Sequence, residues 1–167
     1  GVLHINAENE GLDSELHLTI NGGNIDIKSG NDGINTNEDN VSVTTVNGGR
    51  VQITVTGETG EGDGIDSNGW LVINGGTVLA GACSNSADAG IDSDKGIHIN
   101  GGTVIATGHM LDRIEDGGQT FAVFSFSEPQ KAPWFTLKDM YASTVLEGQT
   151  PSAFTNLLFS CPELSEG

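Results

Sequence analysis

The chain has 167 residues, of which 25 are glycine, and its 6 lysines and arginines against 23 aspartates and glutamates leave a formal net charge of −17. A phosphate surface repels such a chain, so the charge disfavours nucleic acid as a partner and favours cations. No apolar run approaches the roughly 18 residues of a membrane-spanning helix, and we expect no membrane insertion.

Two motifs recur along the chain with a mean period of about 26 residues. Asn-Gly-Gly begins, in steps of 26, 27 and 26 residues, at Asn21, Asn47, Asn74 and Asn100. Gly-[Ile/Leu]-[Asp/Asn]-[Ser/Thr] begins, in steps of 22, 31 and 26 residues, at Gly11, Gly33, Gly64 and Gly90. Because two independent motifs share one mean period, the region is a structural repeat.

Apolar residues occupy equivalent positions in the four copies and lie two residues apart within each strand. The columns are Leu18/Thr44/Leu71/Ile97, Ile20/Val46/Ile73/Ile99, Ile25/Val51/Val78/Val104, Ile27/Ile53/Ala80/Ala106 and Leu12/Ile34/Ile65/Ile91. Alternation with a period of two is typical of β-strands. Three short strands per repeat, joined by glycine-rich bends, predict an all-β parallel β-helix, right-handed by the usual crossover preference. An antiparallel sandwich is the alternative, and the fixed period argues against it.

The repeat ends near residue 108, which divides the chain in two. Residues 1–108 are predicted to form the coils. Residues 109–167 are predicted to form a β-rich capping segment, packed on the open end of the solenoid and cut short at its own end. This segment contains every phenylalanine of the chain, and we expect its Trp134 and Tyr141 to cover the solenoid end. Cys83 and Cys161 can form a disulfide or stay free, and the sequence leaves both possibilities open.

Two columns of acidic and amide side chains run along the bend before the second motif. They are Glu10/Asp32/Asp63/Ala89 and, three residues further on, Asp13/Asn35/Asp66/Asp92. Carboxylates on coils stacked about 4.8 Å apart repel each other by about 3.5 kcal/mol at an effective dielectric of about 20. Only Lys28, Arg50 and Lys95 lie in the repeat to offset this repulsion. A hard divalent cation with several oxygen ligands fits such a bend, and Ca²⁺ tolerates irregular loop geometry.

The sequence therefore predicts a Ca²⁺ site at this bend. The first candidate ligands are Asp63, Asp66 and Asp92, completed by Asp88 or Glu61. A second candidate pair is Asp32 with Asn35. The alternative is that these side chains only cap turns through hydrogen bonds to the backbone. Histidines and cysteines are scattered, so we expect no transition-metal site.

The string Gly-Asp-Gly-Ile-Asp-Ser-Asn-Gly at 62–69 is followed by Leu-Val-Ile-Asn-Gly-Gly-Thr-Val at 71–78, and both have counterparts near 89–93 and 99–104. Together they resemble the carbohydrate-binding, polysaccharide-lyase-like β-helix proteins found at bacterial cell surfaces. The resemblance implies a right-handed parallel β-helix, bound calcium, and binding of cellulose-like or acidic polysaccharides without established catalysis. It also implies calcium ligands at Asp63, Asp66 and Asp92, whereas Ala89 and Asn35 depart from the family pattern.

The first functional hypothesis is calcium-dependent, non-catalytic binding of polysaccharide by an extracellular monomer at the bacterial cell surface. Trp70 is the candidate carbohydrate-binding residue, because it aligns with His17, Val43 and Gly96 in an outward column. An exposed indole offers sugars a flat face to stack on, although it can equally pack beneath a loop. An acidic polysaccharide would need calcium to bridge it to so negative a chain.

The alternative is a calcium-dependent polysaccharide lyase of the pectate type. Calcium acidifies the proton beside a uronate carboxylate, and a neutral lysine or arginine removes it. Lys28, Arg50 and Lys95 are the available bases, but pairing with a neighbouring aspartate stabilises the charged form and disfavours this role. A third possibility is a structural or adhesin module with the same fold and metal.

Overall fold

The computed structural model describes residues 1–131, 134–150 and 152–164, so parts of the predicted capping segment, 109–167, lie outside the described residues. The described residues form sixteen β-strands and no helix, and hence no helix that could cross a membrane. The strands are β1 Val2–Asn6, β2 Leu12–Ser14, β3 His17–Ile20, β4 Asn24–Ser29, β5 Ile34–Thr36, β6 Val43–Val46, β7 Arg50–Val55, β8 Ile65–Ser67, β9 Trp70–Ile73, β10 Thr77–Gly81, β11 Gly96–Ile99, β12 Thr103–Gly108, β13 Phe121–Gln130, β14 Trp134–Lys138, β15 Thr144–Gln149 and β16 Phe154–Ser160.

Successive coils of the chain place their strands in three parallel sheets. Sheet A contains β1-β4-β7-β10-β12, sheet B contains β2-β5-β8, and sheet C contains β3-β6-β9-β11. Equivalent residues of successive repeats are direct partners, as where Ile27 pairs with Ile53 and Ile53 pairs with Ala80. The predicted all-β solenoid with coils of about 26 residues is confirmed, and it makes about four turns.

The predicted apolar columns form the core between the three sheets. Val51, Ile73 and Ile97 are fully buried, as are most members of the five columns. Leu12 and Leu18, in the first coil, are only partly buried but pack against the same core. Each fully buried Val, Leu or Ile contributes about 1.5–3 kcal/mol, so these ladders supply the main driving force for stacking.

The Asn-Gly-Gly bends turn the chain from sheet C into sheet A. The second glycine of each bend has a positive φ, as at Gly49 (88°) and Gly76 (86°). A Cβ on Gly76 would also lie 2.6 Å from the carbonyl oxygen of Gly49. Both the backbone conformation and the close approach of adjacent coils therefore require glycine here.

The asparagines of these bends form a hydrogen-bonded ladder along the outside of the solenoid, which the sequence motifs do not predict. Asn47 donates its Nδ2–H to Oδ1 of Asn21, Asn74 donates to Asn47, and Asn100 donates to Asn74, each at 2.8 Å. Stacked amides of this kind hold neighbouring coils in one register.

Residues 109–118 carry neither motif but follow the path of the coils as a partial fifth rung. Met110 and Ile114 form parallel bridges with Ala89 and Ile97 of the preceding coil. Beyond this rung, β16 pairs antiparallel with β12, and β13 pairs antiparallel with β16, which extends sheet A by two strands.

The tail contributes to two separate apolar clusters. Leu158 of β16 joins the main core, whereas Phe159, on the opposite side of the strand, packs with Ile105 in a second cluster. Trp134 and Tyr141 are 65% and 82% exposed, so the expectation that they cover the solenoid end is wrong. They lie on the β14–β15 hairpin and its turn, where they face solvent. Cys83 and Cys161 are both buried and both free.

We expect Gly76→Ala to destabilise the protein by about 1–3 kcal/mol, because alanine must adopt a positive φ against the neighbouring backbone. Gly22→Ala is the matched control, since a Cβ there meets no atom within 4 Å. Chemical denaturation of both variants measures the difference. Equal stability of Gly76→Ala and the wild type would contradict the close stacking of the bends.

Candidate functional site

The outer face of sheet B brings together the second acidic column. Asp66 is the middle residue of β8 and is half-buried with its side chain away from the core. In-register pairing places Asn35 of β5 directly opposite it. Asp92 lies on the other side of Asp66. Ile91 forms a parallel bridge with Ile65, and the Asp92 N–H donates to the Ile65 carbonyl at 2.7 Å.

Asp63 reaches the same place from the bend before β8. Its Oδ1 accepts the backbone N–H of Ala89 in the next coil at 2.6 Å. One carboxylate oxygen each from Asp63, Asp66 and Asp92 lies within 4.8 Å of the other two. The stacking of coils therefore gathers three of the predicted ligands into one acidic group that could hold a metal ion.

Asn35 lies beside this group, opposite Asp66, whereas the other predicted ligands lie outside it. Asp32 uses Oδ1 to accept the Asp63 N–H at 2.8 Å, and Asp88 uses Oδ2 to accept the Gly62 N–H at 2.7 Å. Glu61 is exposed on the bend. Asp32 and Asp88 thus act as side-chain caps that tie one coil to the next, which is the role that the turn-capping alternative assigns to such residues.

The acidic group is poorly suited to carrying three negative charges without a cation. The pKa of Asp63 is raised to about 8, mainly by burial and also by the carboxylates of Asp92, Asp88 and Asp32, against the lowering effect of the Ala89 N–H bond. Burial, followed by the charges of Asp32 and Asp92, raises the pKa of Asp66 to about 7. The group therefore favours either protons or a bound cation near neutral pH.

Asp92, the third member of the group, and the neighbouring Asp32 behave in the same way. Burial raises the pKa of Asp92 to about 6, assisted by the charges of Asp112 and Asp94. Burial also raises the pKa of Asp32 to about 6, although the bond from the Asp63 N–H opposes the shift. Repulsion thus extends along the whole bend rather than being confined to one pair.

Lysine and arginine contribute little to this region. The principal influences on the four carboxyl pKa values are burial, other carboxylates and backbone N–H groups, with no lysine or arginine among them. Lys28 lies on the exposed face of β4 in sheet A, and Lys95 precedes β11 in sheet C. The arrangement therefore suits the binding of a cation better than the abstraction of a proton by a neighbouring base.

A second feature lies on the outer face of sheet C, where Trp70 begins β9. The register places Trp70 between Val43 and Gly96, as the outward column predicts. Its half-buried indole stacks on the imidazole of His98, with ring centroids 5.3 Å apart and planes at 26°. His98 pairs with Val72, so the indole reaches it diagonally across the adjacent strands β9 and β11.

This outer face of sheet C carries no aspartate, glutamate, lysine or arginine, in a chain of net charge −17. Its outward residues are His17, Thr19, Val43, Thr45, Trp70, Val72, Gly96 and His98. Strands with hydroxyls and a stacked aromatic pair on their outer face can cover the apolar side of a sugar ring.

The contribution of His98 is missed by the sequence motifs, which suggest an ordinary surface histidine. Its position two residues after Gly96, the residue that aligns with Trp70, puts it on the same outward face. Which neighbour the indole leans towards depends on side-chain packing between strands and has no sequence signal.

We expect the metal-free protein to lose stability as the pH rises from about 4 to about 8. The folded state binds more protons than the unfolded chain in this window, because the carboxyl pKa values are raised on folding, so the free energy of unfolding falls as the pH rises. In EDTA, Tm should be lower at pH 8 than at pH 5 by at least about 2–4 °C, the shift that 1 kcal/mol produces in a chain of this size.

Asp63→Asn should flatten this pH dependence, whereas Asp116→Asn, at an exposed turn, should leave the wild-type slope unchanged. A metal-free Tm that does not fall between pH 5 and pH 8 would contradict the raised pKa values.

A comparison with known proteins finds one matching family. The model of a family described as carbohydrate-binding domain-containing protein matches residues 1–118, which include all the coils and the partial fifth rung. No curated protein and no solved structure matches the chain. Since the match spans more than half of the sequence, the chain belongs to the family of carbohydrate-binding domain-containing proteins.

Proposed function

We propose that the protein binds polysaccharide, cellulose-like or acidic, without catalysis and in a calcium-dependent manner, at the bacterial cell surface. Family membership supports polysaccharide as the ligand. The observation that carries the proposal is the stacked pair of Trp70 and His98 on the uncharged outer face of sheet C. Aromatic faces of this kind bury apolar surface beside groups that hydrogen-bond, which is how proteins hold sugar rings.

The calcium part of the proposal rests on the acidic group of Asp63, Asp66 and Asp92. Asn35, directly opposite Asp66, has a buried Oδ1 that finds no hydrogen-bond partner among the described residues. Carboxylate and amide oxygens are the ligands that Ca²⁺ prefers, so the donor set suits this ion. Calcium bound there would supply positive charge that offsets repulsion between neighbouring coils.

The two features lie on different faces of the solenoid, and this separates their roles. The acidic group stands on sheet B, and the stacked pair stands on sheet C. We infer that calcium acts mainly by holding the coils together, and that acidic sugars would use it in addition as a bridge. A surface location suits both roles, since calcium sites of extracellular modules bind at about 10⁻⁴–10⁻³ M.

Calcium should raise the melting temperature. At a concentration of 100 times Kd, a ligand that binds only the folded state adds about 2.7 kcal/mol, which corresponds to about 5–10 °C here. Asp66→Asn should abolish the increase and should itself be more stable than the wild type in EDTA, because it removes one of the repelling charges. Asp116→Asn, at an exposed turn, should keep the full response.

A calcium-induced rise in Tm that persists in Asp66→Asn would place the ion elsewhere. No rise in the wild type at calcium concentrations up to about 100 mM, 100 times the weaker Kd, would remove calcium from the proposal. The sugar-binding face would then be tested by itself.

Trp70→Ala should reduce binding to polysaccharide by at least about tenfold, because a stacked tryptophan is the kind of residue that dominates a binding site. Pull-down with cellulose and with polygalacturonate, each with calcium and with EDTA, measures the effect. Trp134→Ala is the matched control, since Trp134 is more exposed but lies on the tail, outside the residues that match the family. A loss with Trp134→Ala instead of Trp70→Ala would move the site to the tail.

A further inference from the structure

We propose that Arg113 and Glu115, in the partial fifth rung, are sugar-binding residues of the site formed by Trp70 and His98. We further propose that the bound glycan chain runs along the axis of the solenoid, across the strands. This inference rests on the proposed function, since it assigns further residues and a direction to the same site.

The placement of these residues on successive rungs gives the direction. Trp70 lies on β9, His98 lies on β11, and Arg113 and Glu115 lie on the rung beyond. That rung lies beside sheet C. Ile114 forms a parallel bridge with Ile97, and the Glu115 N–H donates to the Ile97 carbonyl at 2.8 Å.

Two strand spacings separate the Trp70 rung from the Arg113 rung, a distance of about 10 Å. A ligand that contacts both must therefore extend over several rungs. A glycan chain lying along one strand would contact Trp70 and miss Arg113.

Arg113 is held in place although its side chain is 69% exposed. Its Nη2 forms an ion pair with Oε1 of Glu115 at 2.7 Å and also donates to the carbonyl of Lys95 at 2.7 Å. Among the described residues, this is the only ion pair that involves a lysine or an arginine. A planar guanidinium fixed in this way keeps further N–H groups directed to solvent at little cost in side-chain entropy.

Gly96 explains how Glu115 joins the face that carries Trp70. A Cβ on Gly96 would overlap the Glu115 carboxylate, so this carboxylate lies over the glycine that pairs with Trp70. The indole of Trp70 stacks on His98, and Arg113 pairs with the carboxylate of Glu115. The two pairs therefore lie on the same face, on strands next to Gly96.

The chemistry of this cluster matches a sugar better than a simple anion. Sugar hydroxyls both donate and accept hydrogen bonds, so they can pair with a guanidinium and a carboxylate together. Glu115 offsets the charge of Arg113, which weakens the attraction for a free carboxylate. The family match extends to residue 118 and therefore includes both residues.

The test is calorimetric titration of the full chain, in calcium, with cello-oligosaccharides from cellobiose to cellohexaose and with the corresponding oligogalacturonides. For the series that the wild type binds, affinity should rise with chain length until the glycan reaches Arg113. Arg113→Ala should lower affinity for the longer members by about tenfold and should remove most of the dependence on length.

Arg50→Ala is the matched control, because Arg50 is also exposed and bonded to a neighbour, Gln52, but lies on sheet A. It should bind like the wild type. Both variants should keep the wild-type Tm without glycan. If Arg113→Ala lowers Tm, Arg113→Lys serves as the test variant instead, since lysine keeps the charge but lacks the planar guanidinium.

Glu115→Gln frees the charge of Arg113, so it should shift the ratio of affinities towards oligogalacturonides. The inference would be overturned if Arg113→Ala, or Arg113→Lys in its place, bound glycan like the wild type while Trp70→Ala lost binding. The proposed function would then still stand. An unchanged ratio in Glu115→Gln would overturn the role of Glu115. No binding of either series by the wild type would overturn the proposed function itself.

Discussion

The hydrogen-bonded stacking of each coil on the next, in one register, is the constraint on which the rest of this structure depends. Parallel pairing at about 4.8 Å turns each repeated residue into the direct neighbour of its counterpart. Buried ladders such as Val51–Val78–Val104 and the asparagine ladder on the outside both follow from that pairing. A slip of one residue would send every apolar side chain of a strand to the solvent face.

The same constraint concentrates charge. Because Asp63, Asp66 and Asp92 are repeated acidic positions, stacking brings their carboxylates within 4.8 Å of one another in a half-buried place. Burial of the apolar core thus offsets the repulsion between the carboxylates of neighbouring coils. Protons or a cation reduce this conflict, and burial together with the neighbouring carboxylates raises the pKa values of Asp63 and Asp66.

The three sheets give the solenoid faces with different chemistry. Sheet B carries the acidic group, sheet C carries the uncharged face with Trp70 and His98, and sheet A continues into the tail through β16 and β13. The long edge strand β13 carries Glu128 and Pro129 near its end, and these residues discourage pairing with a further strand. A ligand on sheet C and a cation on sheet B can therefore be bound without competing for one surface.

The sequence by itself determined the architecture and most of the acidic group. Its motif period and its alternation of apolar residues specify which residues become vertical neighbours, and stacking then makes Asp63, Asp66 and Asp92 adjacent without further information. The outward position of Trp70 follows from the same alternation.

Only the tertiary structure decided what depends on side-chain packing between coils. It showed that Asp32 and Asp88 accept backbone N–H groups, that the indole of Trp70 leans onto His98, and that Trp134 stands in solvent. It also showed that the rung containing Arg113, which carries neither motif, still stacks on the last coil. The physical reason is that a repeat specifies which backbone positions pair, whereas the direction a side chain takes depends on the space and partners that its neighbours leave.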